Sequence, residues 1–100
     1  MKTVDVVIAG ADAAAVDAML DAVRKGRRVL VVIRTRRAGA VQRLRRTLKS
    51  MRLPCAPRVM VMTGAEIACV DGVDGIEAVV VRDLRSGRLS GFNAREVLCF

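Results

Sequence analysis

The sequence predicts an α/β fold: a βαβαβ core in three layers, a three-stranded antiparallel β-meander, and a final strand returning to the parallel sheet. Three observations predict it. Two short apolar runs, residues 4–8 and 29–33, flank a proline-free segment rich in Ala, Met and Leu, which gives the order strand, helix, strand. A second stretch with helical periodicity leads into a third apolar run at residues 58–63. Beyond residue 65 the pattern changes to short β-like runs separated by turns containing Gly, Asp and Ser.

Val4-Asp5-Val6-Val7-Ile8 is short, β-branched and nearly all apolar, as expected of a central parallel strand covered on both faces. The first helix occupies residues 13–25. Asp12 is placed to cap its first turn, Arg24 and Lys25 suit its negative carboxyl end, and Gly26 can take the left-handed conformation that stops it. A right-handed crossover then sets residues 29–33 beside the first strand. In residues 40–52, Val41, Leu44, Leu48 and Met51 share one helical stripe and Arg43, Arg46 and Lys49 the opposite one, with Pro54 and Pro57 beyond as terminators. Residues 58–63 complete the parallel set. Residues 66–70, 76–82 and 89–92 make the meander, and residues 95–100 the last strand.

One hundred residues that are 53% hydrophobic suit a single domain over residues 1–100. The longest uncharged apolar run falls far below the ~20 residues that span a bilayer, and no secretory leader pattern precedes the first strand. A cytoplasmic protein without membrane contact is expected. Cys55, Cys69 and Cys99 are three widely spaced cysteines, which form no CxxC pair; Cys69 and Cys99 are expected as small core residues and Cys55 as the accessible thiol. There is no histidine, so metal sites lose their commonest ligand and acid–base chemistry its usual imidazole. The net charge of +8 is uneven: residues 22–65 contain thirteen Lys or Arg and no acid. Such a field attracts phosphates without choosing among nucleotide, nucleic acid and anionic surface.

The segment with most to say about chemistry is Gly10-Ala11-Asp12-Ala13-Ala14-Ala15, between the first strand and the first helix. A glycine-rich turn there lets a helix N-terminus meet a pyrophosphate. Gly10 holds the tight-turn position and Ala15 is small enough for helix–strand packing, but Asp12 stands where a glycine would let the backbone approach the phosphates. A carboxylate about 5 Å from a phosphate costs ~3 kcal/mol at an effective dielectric near 20, and under ~1 kcal/mol if water-exposed.

In this order of elements the chain resembles the Rossmann-type NAD(P)-binding domain of thioredoxin reductase-like flavoproteins. That family's first turn reads GGGDSA or similar, and Gly10-Ala11-Asp12-Ala13-Ala14-Ala15 occupies it without gaps. Its second strand runs into an HRRxxxR signature that holds the 2′-phosphate of NADPH, where this chain has Arg34-Thr35-Arg36-Arg37. Thr63-Gly64-Ala65-Glu66-Ile67 is similar to the start of its meander. The resemblance implies a cofactor site made of Gly10, Ala11, Asp12, Ala13, Ala14, Arg34, Arg36 and Arg37, with weak or vestigial NADP(H) binding. The related flavin-binding domain would end its second strand on an acid for the adenosine ribose. This chain has Ile33 and then Arg34, so FAD is not expected on this chain alone.

The resemblance further implies no turnover by the chain alone, because in the family hydride passes to a flavin on another domain and then to a cysteine pair. A flavoprotein partner chain, or a second copy covering the apolar Leu98-Cys99-Phe100, is the expected companion. The alternative is a non-enzymatic assembly module whose basic region 22–65 contacts an anionic partner. Nucleic acid is the less favoured such partner, since Phe92 and Phe100, the two aromatics, both lie outside the basic stretch.

Overall fold

A computed structural model describes residues 2–35, 38–50, 58–73 and 76–100. The chain runs β1 (Lys2–Thr3), β2 (Val6–Ala9), α1 (Ala13–Arg24), β3 (Val29–Ile33), α2 (Ala38–Ser50), β4 (Val59–Thr63), β5 (Ala65–Val73), β6 (Ile76–Asp83), β7 (Leu89–Ala94) and β8 (Glu96–Cys99). The expected α/β architecture is present as two four-stranded sheets, a parallel one ordered β4-β3-β2-β8 and a second ordered β1-β7-β6-β5. In the parallel sheet Val6 pairs with Val29 on one side and Glu96 on the other, so the last strand does return beside the first.

The alternation of side chains along β2 and β3 builds the layers. Val6, Ile8, Val29, Val31 and Ile33 face the helices, meeting Ala15, Met19, Ala22 and Val23 of α1 and Leu44 of α2. Val7, Leu30 and Val32 face the other way, against Val79, Val81, Phe92 and Ala94 of the second sheet. A sheet covered on both faces has no polar side to show, which is why β3 reads Val-Leu-Val-Val-Ile and is buried along its whole length. α1 stops as expected. Gly26 sits at φ +74°, and the Arg27 N–H reaches the Ala22 carbonyl at 3.0 Å, closing the helix end.

Three expectations are corrected. Residues 4–8 are not one strand, because Lys2 and Thr3 pair in parallel with Phe92 and Asn93 of β7 and the chain changes sheets at Val4-Asp5. The Val4 N–H still donates to Asn93, whereas the Asp5 N–H donates to the Arg28 carbonyl. The meander sheet accordingly has β1 as a fourth strand, and its own strands run longer than expected, to Val73 in β5 and Ala94 in β7. Cys69 and Cys99 are exposed, not core. Cys69 follows an irregularity in the β5–β6 register between Ile67 and Cys69, and β8 is an edge strand. Cys55 and Met51 lie outside the described residues.

Candidate functional site

The loop from β2 to α1 opens on Gly10, at φ +140°, a conformation that strongly favours glycine. Its N–H donates to the Val32 carbonyl at 3.0 Å, which ties the turn to the end of β3. A Cβ at this position would lie 3.1 Å from the Phe100 Cβ and 3.5 Å from the Ala15 Cβ. Strand, turn and helix therefore meet here at backbone distance. Ala15 is buried, as the small-residue position requires.

Asp12 is the N-cap of α1. Its Oδ1 accepts from the Ala15 N–H at 2.9 Å, and its carbonyl accepts from the Val16 N–H at 3.0 Å. The carboxylate thus takes one of the helix donors that would otherwise face a bound anion. It is exposed to solvent.

Two clefts flank this turn, and Ala11 lines both. One, of about 440 Å³, lies over the carboxyl ends of β2 and β3 and is lined by Gly10, Ile33, Arg34, Glu66, Ile67 and Phe100 among others. The second, also about 440 Å³, lies between the start of α1 and α2, where Asp12, Ala13 and Asp17 face the same space as Arg43 and Arg46. Among the expected site residues, Gly10, Ala11 and Arg34 are brought together in the first cleft and Asp12 and Ala13 stand in the second. Ala14, exposed in the first turn of α1, lines neither; Arg36 and Arg37 lie outside the described residues.

The charge in the first cleft differs from what the arginine run alone suggests. Arg34 Nη2 lies 3.7 Å from Glu66 Oε2, and Arg82 Nη1 lies 3.5 Å from Glu66 Oε1. One carboxylate from β5 is held between two guanidinium groups from β6 and the end of β3. Glu66 and Phe100 are among the cleft residues that the sequence did not mark as such. Arg43 and Arg46, read as the outer side of their helix, are exposed and line the second cleft.

No protein-family model matches the sequence, and no curated protein matches it. Solved structures do match. A thioredoxin reductase from Streptococcus pyogenes MGAS5005 superposes with a TM-score of 0.73 at 16% identity, covering 100% of this chain and 31% of that one. An L-lysine 6-monooxygenase from Pseudomonas syringae gives 0.74 at 13% identity, covering 98% and 34%. The FAD-bound cadaverine monooxygenase of desferrioxamine biosynthesis from Erwinia amylovora gives 0.72 at 9% identity, covering 98% and 34%. The chain shares their fold. It spans about a third of the length of each of these proteins.

Proposed function

We propose that the chain is a nucleotide-binding domain related to those of flavin-dependent NAD(P)H oxidoreductases, with a weak NADP(H) site and no turnover by itself. The observation that carries this reading is the cleft over the carboxyl ends of β2 and β3, closed on one side by the positive-φ turn at Gly10. Open α/β sheets bind ligands at that edge, where the chain crosses from strand to helix. Gly10 makes the tight turn and Ala11 follows it along the cleft, which sets the start of α1 beside the pyrophosphate position. Arg34, with Arg36 and Arg37 following it in sequence, supplies positive charge for the 2′-phosphate.

Weakness follows from two residues. The Asp12 carboxylate occupies a helix donor and repels phosphate, and Arg34 already has a counter-ion in Glu66. In this reading the hydride acceptor is a flavin held by a partner chain, and the sequence itself carries no CxxC pair to pass electrons on to.

Calorimetric titration of the whole chain with NADPH and NADH, paired with thermal melts, tests the reading. A dissociation constant on the order of 1 mM is expected, and ligand at about ten times that concentration then stabilises the fold by ~1.4 kcal/mol. Absence of both heat and melting shift at millimolar ligand removes the cofactor role and leaves only the fold.

A further inference from the structure

We infer that Glu66 lowers the preference of the first cleft for NADP(H) over NAD(H), opposing the 2′-phosphate of the one and accepting from the free 2′-hydroxyl of the other. The inference rests on the nucleotide-binding reading given above. In a βαβ unit an acid near the end of the second strand accepts a hydrogen bond from the ribose 2′-hydroxyl, whereas an arginine there accommodates a 2′-phosphate. By sequence this corner belongs to an arginine, because β3 ends at Ile33 and Arg34 follows. Folding brings an acid to the same corner from the other sheet. Glu66, the second residue of β5, lines the cleft beside Ile33 and Arg34.

The contacts identify which partner is fixed. The Glu66 side chain is 28% exposed, against 77% for Arg34 and 50% for Arg82. Each of its oxygens has its own guanidinium, at 3.7 Å and 3.5 Å. The carboxylate is therefore the anchored member and Arg34 the one free to swing. A 2′-phosphate must draw Arg34 away from Glu66 and then sit beside the carboxylate. A 2′-hydroxyl can donate to that carboxylate with the ion pairs intact. Repulsion between a carboxylate and a phosphate about 4 Å apart in water-like surroundings corresponds to about fivefold in affinity.

The test is calorimetric titration of the full chain and its variants with both NADH and NADPH, with a thermal melt of each variant to verify the fold. The unsubstituted chain binds both nucleotides, NADPH with only a small advantage over NADH. Glu66→Gln shifts the ratio of the two dissociation constants about fivefold toward NADPH. Arg82→Gln, which removes one of the two cations neutralising Glu66, shifts it the opposite way. If both nucleotides bind and Glu66→Gln leaves the ratio unchanged, the inference is overturned while the nucleotide site stands. If neither nucleotide binds the unsubstituted chain, the site and the inference fall together.

Discussion

Asp12 does two things at the start of α1 that pull in opposite directions. As N-cap it satisfies the Ala15 N–H, an interaction whose loss to alanine costs about 1 kcal/mol, whereas glycine at the same position loses only a few tenths. As an anion it stands beside the proposed phosphate seat. Because it is exposed, water screens it, and the relevant repulsion is the smaller one, about 0.8 kcal/mol at roughly 5 Å. The two roles separate by substitution. Asp12→Ala should lower the melting temperature by roughly 4–8 °C, as about 1 kcal/mol does in a domain of this size. Asp12→Gly should leave it nearly unchanged, yet bind NADPH several-fold more tightly, since it removes the charge and frees the helix donor. Titration and melting of both variants check this. Equal NADPH affinity in Asp12→Gly and the unsubstituted chain would mean that the carboxylate does not face the ligand.

Elements bounded by local chemistry are the ones legible in the sequence. β3 lies where the apolar run placed it, and α1 begins and ends within a residue of the expectation, because Asp12, Gly26 and the apolar run act on neighbouring backbone. What could not be read depends on partners distant in the chain. A two-residue β1 has no periodicity to detect, and exists because β7 offers it an edge. Likewise Glu66 becomes a cleft residue only once the meander folds back over β3. The change of sheet after β1 has its own latch. Asp5 Oδ2 accepts from the Arg28 N–H at 2.7 Å and lies 3.6 Å from Arg28 Nε, fastening the bend to the start of β3. The backbone hydrogen bond from Arg28, helped by the charge of Arg28 and Arg95 against a desolvation penalty, holds the Asp5 carboxyl below its ordinary 3.8. A depressed carboxyl contributes stability above its unfolded value and loses it as pH falls through the folded one. Asp5→Asn should therefore be less stable than the unsubstituted chain at neutral pH, by roughly 0.5–1 kcal/mol for an exposed charged hydrogen bond. The difference should close at pH well below 3.8. Urea unfolding of both proteins at the two pH values measures it; a gap independent of pH would place the effect in packing.

At the scale of the whole molecule the governing quantity is the field, a net +8 with thirteen cations and no acid over residues 22–65. The described part of that stretch puts Arg43, Arg45, Arg46 and Lys49 on the exposed face of α2, beside the cleft that holds Asp12. Local carboxylates work against this field at the proposed site: Asp12 at the helix start and Glu66 beside Arg34 each set a negative charge where the proposed nucleotide would place a phosphate. The two contributions differ in range. Ion pairs a few ångströms apart, such as Arg34 with Glu66, are screened less than the sum of distant cations, which fades beyond a Debye length of ~10 Å at 0.1 M salt. NADPH carries one phosphate more than NADH, so it gains more from the distant field and loses more to the near carboxylate. Raising the salt from about 0.05 M to about 0.5 M should thus weaken NADPH binding by several-fold more than NADH binding, because screening removes the attraction before the repulsion. Titrations of both nucleotides along that series decide the matter. Parallel losses would mean that the basic stretch does not act on the ribose end, and would leave its charge to serve a macromolecular anion instead.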